Sequence, residues 1–216
     1  RNYKTIVIII SIFSFIISVW QSQFVYDGHH WGLMTSNATD LLRGKLPYKE
    51  IFIQYGLFTT IIHSIFMKIG GMSVISIFFF TSLIYSISIY YFFLIIKDKF
   101  QTELALFGVI CIFLIHPFVN HPWHNYLTFF FLLLSLFFLG KDDCKHKLIS
   151  GIFFSLAVLS YEKFLIIFLF FFISYFFINL KNQKLKNSFF LLIGFAVPLL
   201  IFFFYLLYYQ ILDDWI

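Results

Sequence analysis

Seven stretches of this chain, residues 5–20, 73–96, 104–119, 126–140, 148–161, 164–180 and 188–212, contain no Asp, Glu, Lys or Arg and are built mainly from Phe, Ile, Leu and Tyr. Apolar runs of this kind read as helices that cross a bilayer, whose hydrocarbon core takes roughly 17 to 25 helical residues and fewer where the protein thins it. Composition agrees. Hydrophobic residues make up 61% of the chain, charged residues 12%, and the mean hydropathy is +0.92, far outside soluble globular usage. The fold class expected is therefore all-α, a polytopic transmembrane bundle of about seven spans. Arg1 and Lys4 precede the first run and no small-residue cleavage site follows it, so it reads as a retained anchor. Cys111 lies inside an apolar run and Cys144 in a Lys-rich loop, depths too different for a disulfide. The net charge of +5 comes from lysines spread over short loops, a pattern of orientation signals that excludes nucleic acid as a partner.

An eighth apolar run, residues 56–67, is short and holds His63. The lysines decide its status. If it does not cross, Arg1, Lys4, Lys97, Lys99, Lys141, Lys145, Lys147, Lys181, Lys184 and Lys186 fall on one side, as the positive-inside tendency requires of a cytoplasmic face. If it crosses, most of them land outside. The run is accordingly placed flat on the outer surface, and residues 21–72 form a first outer loop with two interfacial helices. The N-terminus is then cytoplasmic.

That outer loop is the one long polar passage, VYDGHHWGLMTSNATDLLRGKLPYKEIFIQYG, residues 25–56. Trp31, Met34, Ala38, Leu41 and Leu42 recur at helical spacing between Gly28 and Gly44, which predicts an amphipathic helix lying on the membrane. Asp27 stands at its start, where it can cap the helix, or hold a carboxylate at the boundary for proton transfer, or both. His29 and His30 are interfacial side chains or substrate contacts. Gly44 and Pro47 make a turn that carries Arg43, Lys45 and Lys49, cations that either snorkel to headgroups or grip a phosphate. Gln54 and Tyr55 add hydrogen-bonding groups.

Two further polar clusters face the same side. In HPFVNHPWHNY, residues 116–126, the spacing of His121 and His124 could let them share a divalent metal, although no cysteine accompanies them; no cofactor is otherwise indicated. In LSYEKF, residues 159–164, Glu162 and Lys163 interrupt a hydrophobic stretch that must be a hairpin if the lysines at both its ends are cytoplasmic. Its first arm, residues 148–161, would reach only about 21 Å against a core of roughly 30 Å. Glu162 and Lys163 then sit below the surface, where charges are costly and are either paired with each other or functional.

An acidic residue after the first span, a surface helix, GKLPYKEIFIQYG, a second flat helix, a polar loop after the third span and GIFFSLAVLSYEKF together resemble the GT-C glycosyltransferases, chiefly bacterial members related to protein O-mannosyltransferases and lipid A aminoarabinose transferases. The resemblance implies that the chain is the N-terminal module of a longer enzyme of the bacterial inner membrane. It implies transfer of a sugar from a polyprenyl-phosphate donor to a glycan, lipid or protein acceptor at the periplasmic face. Asp27 matches the family's catalytic carboxylate. The turn around Lys49 and Glu50 matches the stretch that helps hold the carrier phosphate, and Lys163 falls where members often carry a lysine. The chain departs from the pattern at Gly28 and at His124 and Asn125, where relatives carry acidic residues. The competing expectation is a non-enzymatic transporter or scaffold, in which Asp27 only caps and the outer cations only snorkel.

Overall fold

The structure, a computed structural model, describes residues 2–24, 28–115 and 124–215. These fold into ten helices: α1 (Tyr3–Gln21), α2 (Gly28–Leu42), α3 (Leu57–Gly70), α4 (Val74–Lys99), α5 (Thr102–Ile115), α6 (His124–Leu139), α7 (Cys144–Ser160), α8 (Phe164–Lys181), α9 (Leu185–Tyr208) and α10 (Leu212–Trp215). The chain is all-α, as its apolar runs predict. Among the described residues, α1, α4, α8 and α9 are long and apolar enough to cross a membrane, while α5 and α6 have 14 and 16 residues. Both cysteines are free.

Side-chain contacts fix the direction of each helix. Ser18 and Ser82 share a 2.8 Å hydrogen bond and Phe15 meets Phe79 edge-on, whereas Val7, near the other end of α1, packs with Ile89 and Phe93. Helices α1 and α4 therefore run antiparallel. In α4 and α6, Phe80 and Ile84 pack on Leu127 and Phe131, and Tyr91 on Phe137, so these two run parallel. Helix α7 returns along α6: the Ser135 hydroxyl donates to the Ser150 carbonyl at 2.9 Å and the Ser150 hydroxyl to the Ser135 carbonyl at 2.8 Å. Because α1 and α4 are antiparallel neighbours, the end of α1 and the start of α4 share one end of the bundle. Helices α2 and α3 lie at that end. Lys4, Lys97, Lys99, Lys141, Lys145, Lys147, Lys181, Lys184 and Lys186 lie at the other.

Helix α3 lies across its end of the bundle. Thr59, in its first turn, donates to the Ser160 carbonyl at 3.1 Å at the end of α7, and Met67, in its last, packs on Ile77 at the start of α4. The apolar stripe of α2, expected to rest on lipid, faces protein instead: Trp31, Met34 and Ala38 are buried, Trp31 against Phe78 and Ala38 against Met67 and Ile77. Asn37, on the same side, donates to the Phe52 carbonyl at 2.8 Å.

Helix α7 also differs from expectation, since it begins at Cys144 and is 17 residues long. Its start is set by Asp143, whose carboxylate accepts from the His146 backbone N–H at 2.7 Å, an N-cap. That hydrogen bond holds the Asp143 carboxyl below the usual range. Lys147, buried one turn on, donates to the Leu139 carbonyl at 2.5 Å and satisfies the end of α6. Glu162 and Lys163, just past the end of α7, are exposed on the protein surface.

Helices α7 and α9 touch backbone to backbone. A Cβ on Gly151 would lie 2.2 Å from the Leu191 carbonyl oxygen, and one on Gly194 would lie 2.0 Å from that of Leu148. Small residues at such crossings let helix axes approach where lipid offers no hydrophobic drive. Alanine at either position must push two backbones apart, so Gly151→Ala and Gly194→Ala should each destabilise by about 1–3 kcal/mol or more. Gly32→Ala, which meets open space inside α2, should be neutral or stabilising by up to ~1 kcal/mol. Thermal unfolding of the three variants in one detergent measures the contrast.

Candidate active site

The turn that leaves α2 is built from its own polar groups. Gly44 adopts φ +84°, the left-handed conformation that ends a helix, and Lys45 turns back to Asp40 at 3.0 Å with Arg43 at 3.9 Å from the same carboxylate oxygen. Glu50 accepts from the Leu46 backbone N–H at 2.7 Å, so its carboxylate closes the following turn. Tyr48, at φ +68°, is held between them. Arg43 and Lys49 remain exposed, as does Gln54.

Next, Gly56 docks this segment on α7: a Cβ there would lie 2.0 Å from the Leu159 carbonyl oxygen. With Thr59 bonded to Ser160, the start of α3 is anchored to the end of α7. The consequence is a cluster of residues far apart in sequence. Tyr55 stacks on His124 at 4.2 Å, and Tyr161 covers another part of the His124 ring at 4.3 Å. The Lys163 ammonium lies 5.7 Å from the Tyr161 ring centre. Glu162 does not depend on Lys163 for a partner: one of its oxygens accepts from the Tyr48 hydroxyl at 3.3 Å and from the Trp215 indole at 3.2 Å.

His124 is only 5% exposed and its Nδ1 has no hydrogen-bond partner among the described residues. It lies beneath half-buried Tyr55 and Tyr161, while Asn125 beside it is exposed. His29 and His30 pack edge to face at 5.0 Å at the start of α2. Asp27 and His121 lie outside the described residues. Among the described residues no group of three or more His, Cys, Asp or Glu could hold a metal.

Cavities adjoin these groups on two sides. One, of about 370 Å³, is apolar and runs between the turn and helices α3, α7 and α9, with Pro47, Leu57, Leu159, Pro198, Phe202 and Tyr205 among its walls. Leu159 and Phe202 also line a smaller cavity that reaches Glu162 and Trp215. The other, of about 680 Å³, lies between α1, α2 and α4, and Phe24 and Gly28, the neighbours of residues 25–27, line it.

Sequence reasoning missed Tyr48, Tyr161 and Trp215. Tyr161 could have been found as the aromatic directly before Glu162, but nothing local to Trp215 pairs it with a carboxylate 53 positions away.

This all-helical membrane bundle, with its cationic, aromatic and carboxylate cluster at one end, is placed in the GT-C class of membrane glycosyltransferases by its family match. A family model described as dolichyl-phosphate-mannose-protein mannosyltransferase matches residues 56–208, more than half of the chain, and the chain belongs to that family. No curated protein and no solved structure matches it. The chain is thus an integral-membrane glycosyltransferase that uses a lipid-linked sugar donor. The match includes Gly56, His124, Glu162 and Lys163 and begins after the α2 turn.

Burial, with the Glu162 carboxylate beside it, holds the Tyr48 phenol well above its usual range. The folded state therefore keeps this proton more tightly than the unfolded chain does. The resulting stability is complete below about pH 10, the ordinary phenol value, and is lost as pH rises further. Tyr48→Phe should lower Tm at pH 8, where the bond to Glu162 is lost, and should weaken the fall in Tm between about pH 10 and 11.5. Parallel unfolding curves of the two proteins check both statements.

Proposed function

We propose that the chain transfers a sugar from a polyprenyl-phosphate carrier to an acceptor hydroxyl at the end of the bundle that carries α2 and α3, the periplasmic face of a bacterial inner membrane. The Asp27 carboxylate takes the proton as the acceptor oxygen attacks the anomeric carbon. The bond from that carbon to the phosphate oxygen breaks, and its electron pair leaves with the polyprenyl phosphate. A single displacement of this kind inverts the anomeric centre. Lys163 offsets charge on the departing phosphate, with Arg43 and Lys49 as further cations on the same face. His124 acts as a positioning residue, since its ring carries Tyr55 and Tyr161.

The observation that carries this reading is the convergence of the Glu162–Lys163 link with the α2–α3 turn: Glu162 accepts from Tyr48 and lines an apolar cavity, and exposed Lys163 is the next residue. A lipid-linked phosphate needs both, a cation for its head and an apolar wall for its chain. The Arg43 charge is partly neutralised by Asp40, which makes Lys163 the stronger candidate. The 680 Å³ cavity lined by Phe24 and Gly28, which flank residues 25–27 in sequence, offers the acceptor an approach.

With a radiolabelled polyprenyl-phosphate sugar, the full-length wild-type protein should catalyse transfer and Asp27→Asn should abolish it while leaving donor binding intact. Undiminished transfer by Asp27→Asn would remove Asp27 as the base, and binding of no donor at all would favour a scaffold or transporter. Lys163→Met should weaken donor binding by roughly 10- to 150-fold, the range for loss of one charge-assisted contact. Unchanged affinity in that variant would take Lys163 out of the site.

A further inference from the structure

At the opposite end of the bundle a second cluster has no part in this chemistry. The first turn of α1, the last turn of α4 and the residues after α6 bring Lys4, Lys97, Lys99 and Lys141 to one cleft of about 280 Å³. Its floor is apolar, formed by Leu94, Ile95, Leu136 and Phe137. Its one carboxylate, Asp98, is engaged by Lys99 at 3.3 Å. Lys4, Lys97 and Lys141 are exposed and pair with no carboxylate among the described residues. Lys97 and Lys141 lie over the rings of Phe93 and Phe137, at 5.8 and 4.9 Å from their centres, which fixes their stems along the walls.

Orientation of a membrane protein requires lysines near one boundary but does not require that three helices gather them around a single hollow. The terminal carbonyls of α4 and α6 attract cations, yet their partial charges do not neutralise three unpaired ammonium groups. The cleft lies in line with a second hollow on the same two helices. A turn above Lys4 and Leu94, an apolar groove of about 300 Å³ runs between α1 and α4, lined by Ile8, Ile12, Phe15, Leu83, Ile87 and Tyr90. On α1, residues 4, 8, 12 and 15 follow one helical face, as do residues 83, 87, 90, 94 and 97 on α4.

From this cationic hollow, one helical turn from an apolar groove along the same two helices, we infer a binding site for an anionic phospholipid. Its phosphate lies among Lys4, Lys97 and Lys141, and an acyl chain lies against Ile8, Ile12 and Leu83. The site is separate from the proposed donor site, which lies at the other end of the bundle and carries its own cation, Lys163.

The test uses the purified full chain in nanodiscs or detergent, with phosphatidylglycerol, phosphatidylcholine and inorganic phosphate as probes and native mass spectrometry as readout. Wild type should retain phosphatidylglycerol in preference to phosphatidylcholine, and Lys97→Gln/Lys141→Gln should lower phosphatidylglycerol affinity by about 30-fold, the effect of two lysines at a lipid surface. Lys181→Gln/Lys186→Gln removes the same charge from the same end outside the cleft and should leave affinity unchanged. Lys97→Arg/Lys141→Arg should keep binding, which guards against a misfolded glutamine variant. Equal losses in the two glutamine variants, or no loss in either, would overturn the site. Inorganic phosphate bound as tightly as phosphatidylglycerol would overturn the lipid assignment, because the groove would then contribute nothing.

Discussion

Three glycines let α7 meet its neighbours through backbone alone. Gly151 of α7 and Gly194 of α9 close one crossing, and Gly56 brings the start of α3 against the Leu159 carbonyl. The candidate site hangs on the Gly56 approach. Were α3 held a side chain further away, Tyr55 could not stack on His124, and Tyr48 would lose Glu162. In a bilayer, where apolar surface gains little by leaving lipid for protein, such close contacts and satisfied polar groups must hold the bundle together. The reciprocal Ser135 and Ser150 bonds and the Ser18 to Ser82 bond serve the same end.

The two ends of the bundle are therefore different in kind. At the lysine end, polar groups chiefly finish helices: Asp143 caps α7 and Lys147 closes α6, with the Tyr3 hydroxyl bond to Glu103 joining α1 to α5. At the other end, polar groups link segments that are distant in sequence, with Glu162 joining the α2–α3 turn to the C-terminal Trp215. Short-range hydrogen bonds fix element boundaries, and long-range ones assemble a surface. The second arrangement sets a carboxylate held by Tyr48 and Trp215, and next to it a cation over an aromatic ring, beside an apolar cavity.

What the sequence revealed and what it hid follow the same division. The helical class was legible because hydrocarbon leaves a long uncharged run few other conformations. The α2 boundaries were legible too, since Gly28 and Gly44 bracket a clean apolar period. The direction its apolar face takes was not, because lipid and the side chains of Phe78 and Ile77 select for the same residue types. Glu162 and Lys163 stood out as charges in an apolar stretch, yet their adjacency suggested a pair, and only the fold reveals that Tyr48 and Trp215 bind the carboxylate. The α7 start was misjudged because a run was bounded at its last lysine. A buried lysine can belong to a helix if a carbonyl receives it, as that of Leu139 receives Lys147.

The central claim is that the carrier phosphate sits at the end of the bundle where α3, α6 and the α7–α8 link converge. Photo-crosslinking with a polyprenyl phosphate that carries its reactive group beside the phosphate, followed by peptide mapping, tests it most directly. The label should fall on peptides containing Tyr48, Tyr55 and residues 161–163, and unlabelled polyprenyl phosphate should displace it. Label confined to the lysine end, on residues 94–99 and 136–141, would contradict the account.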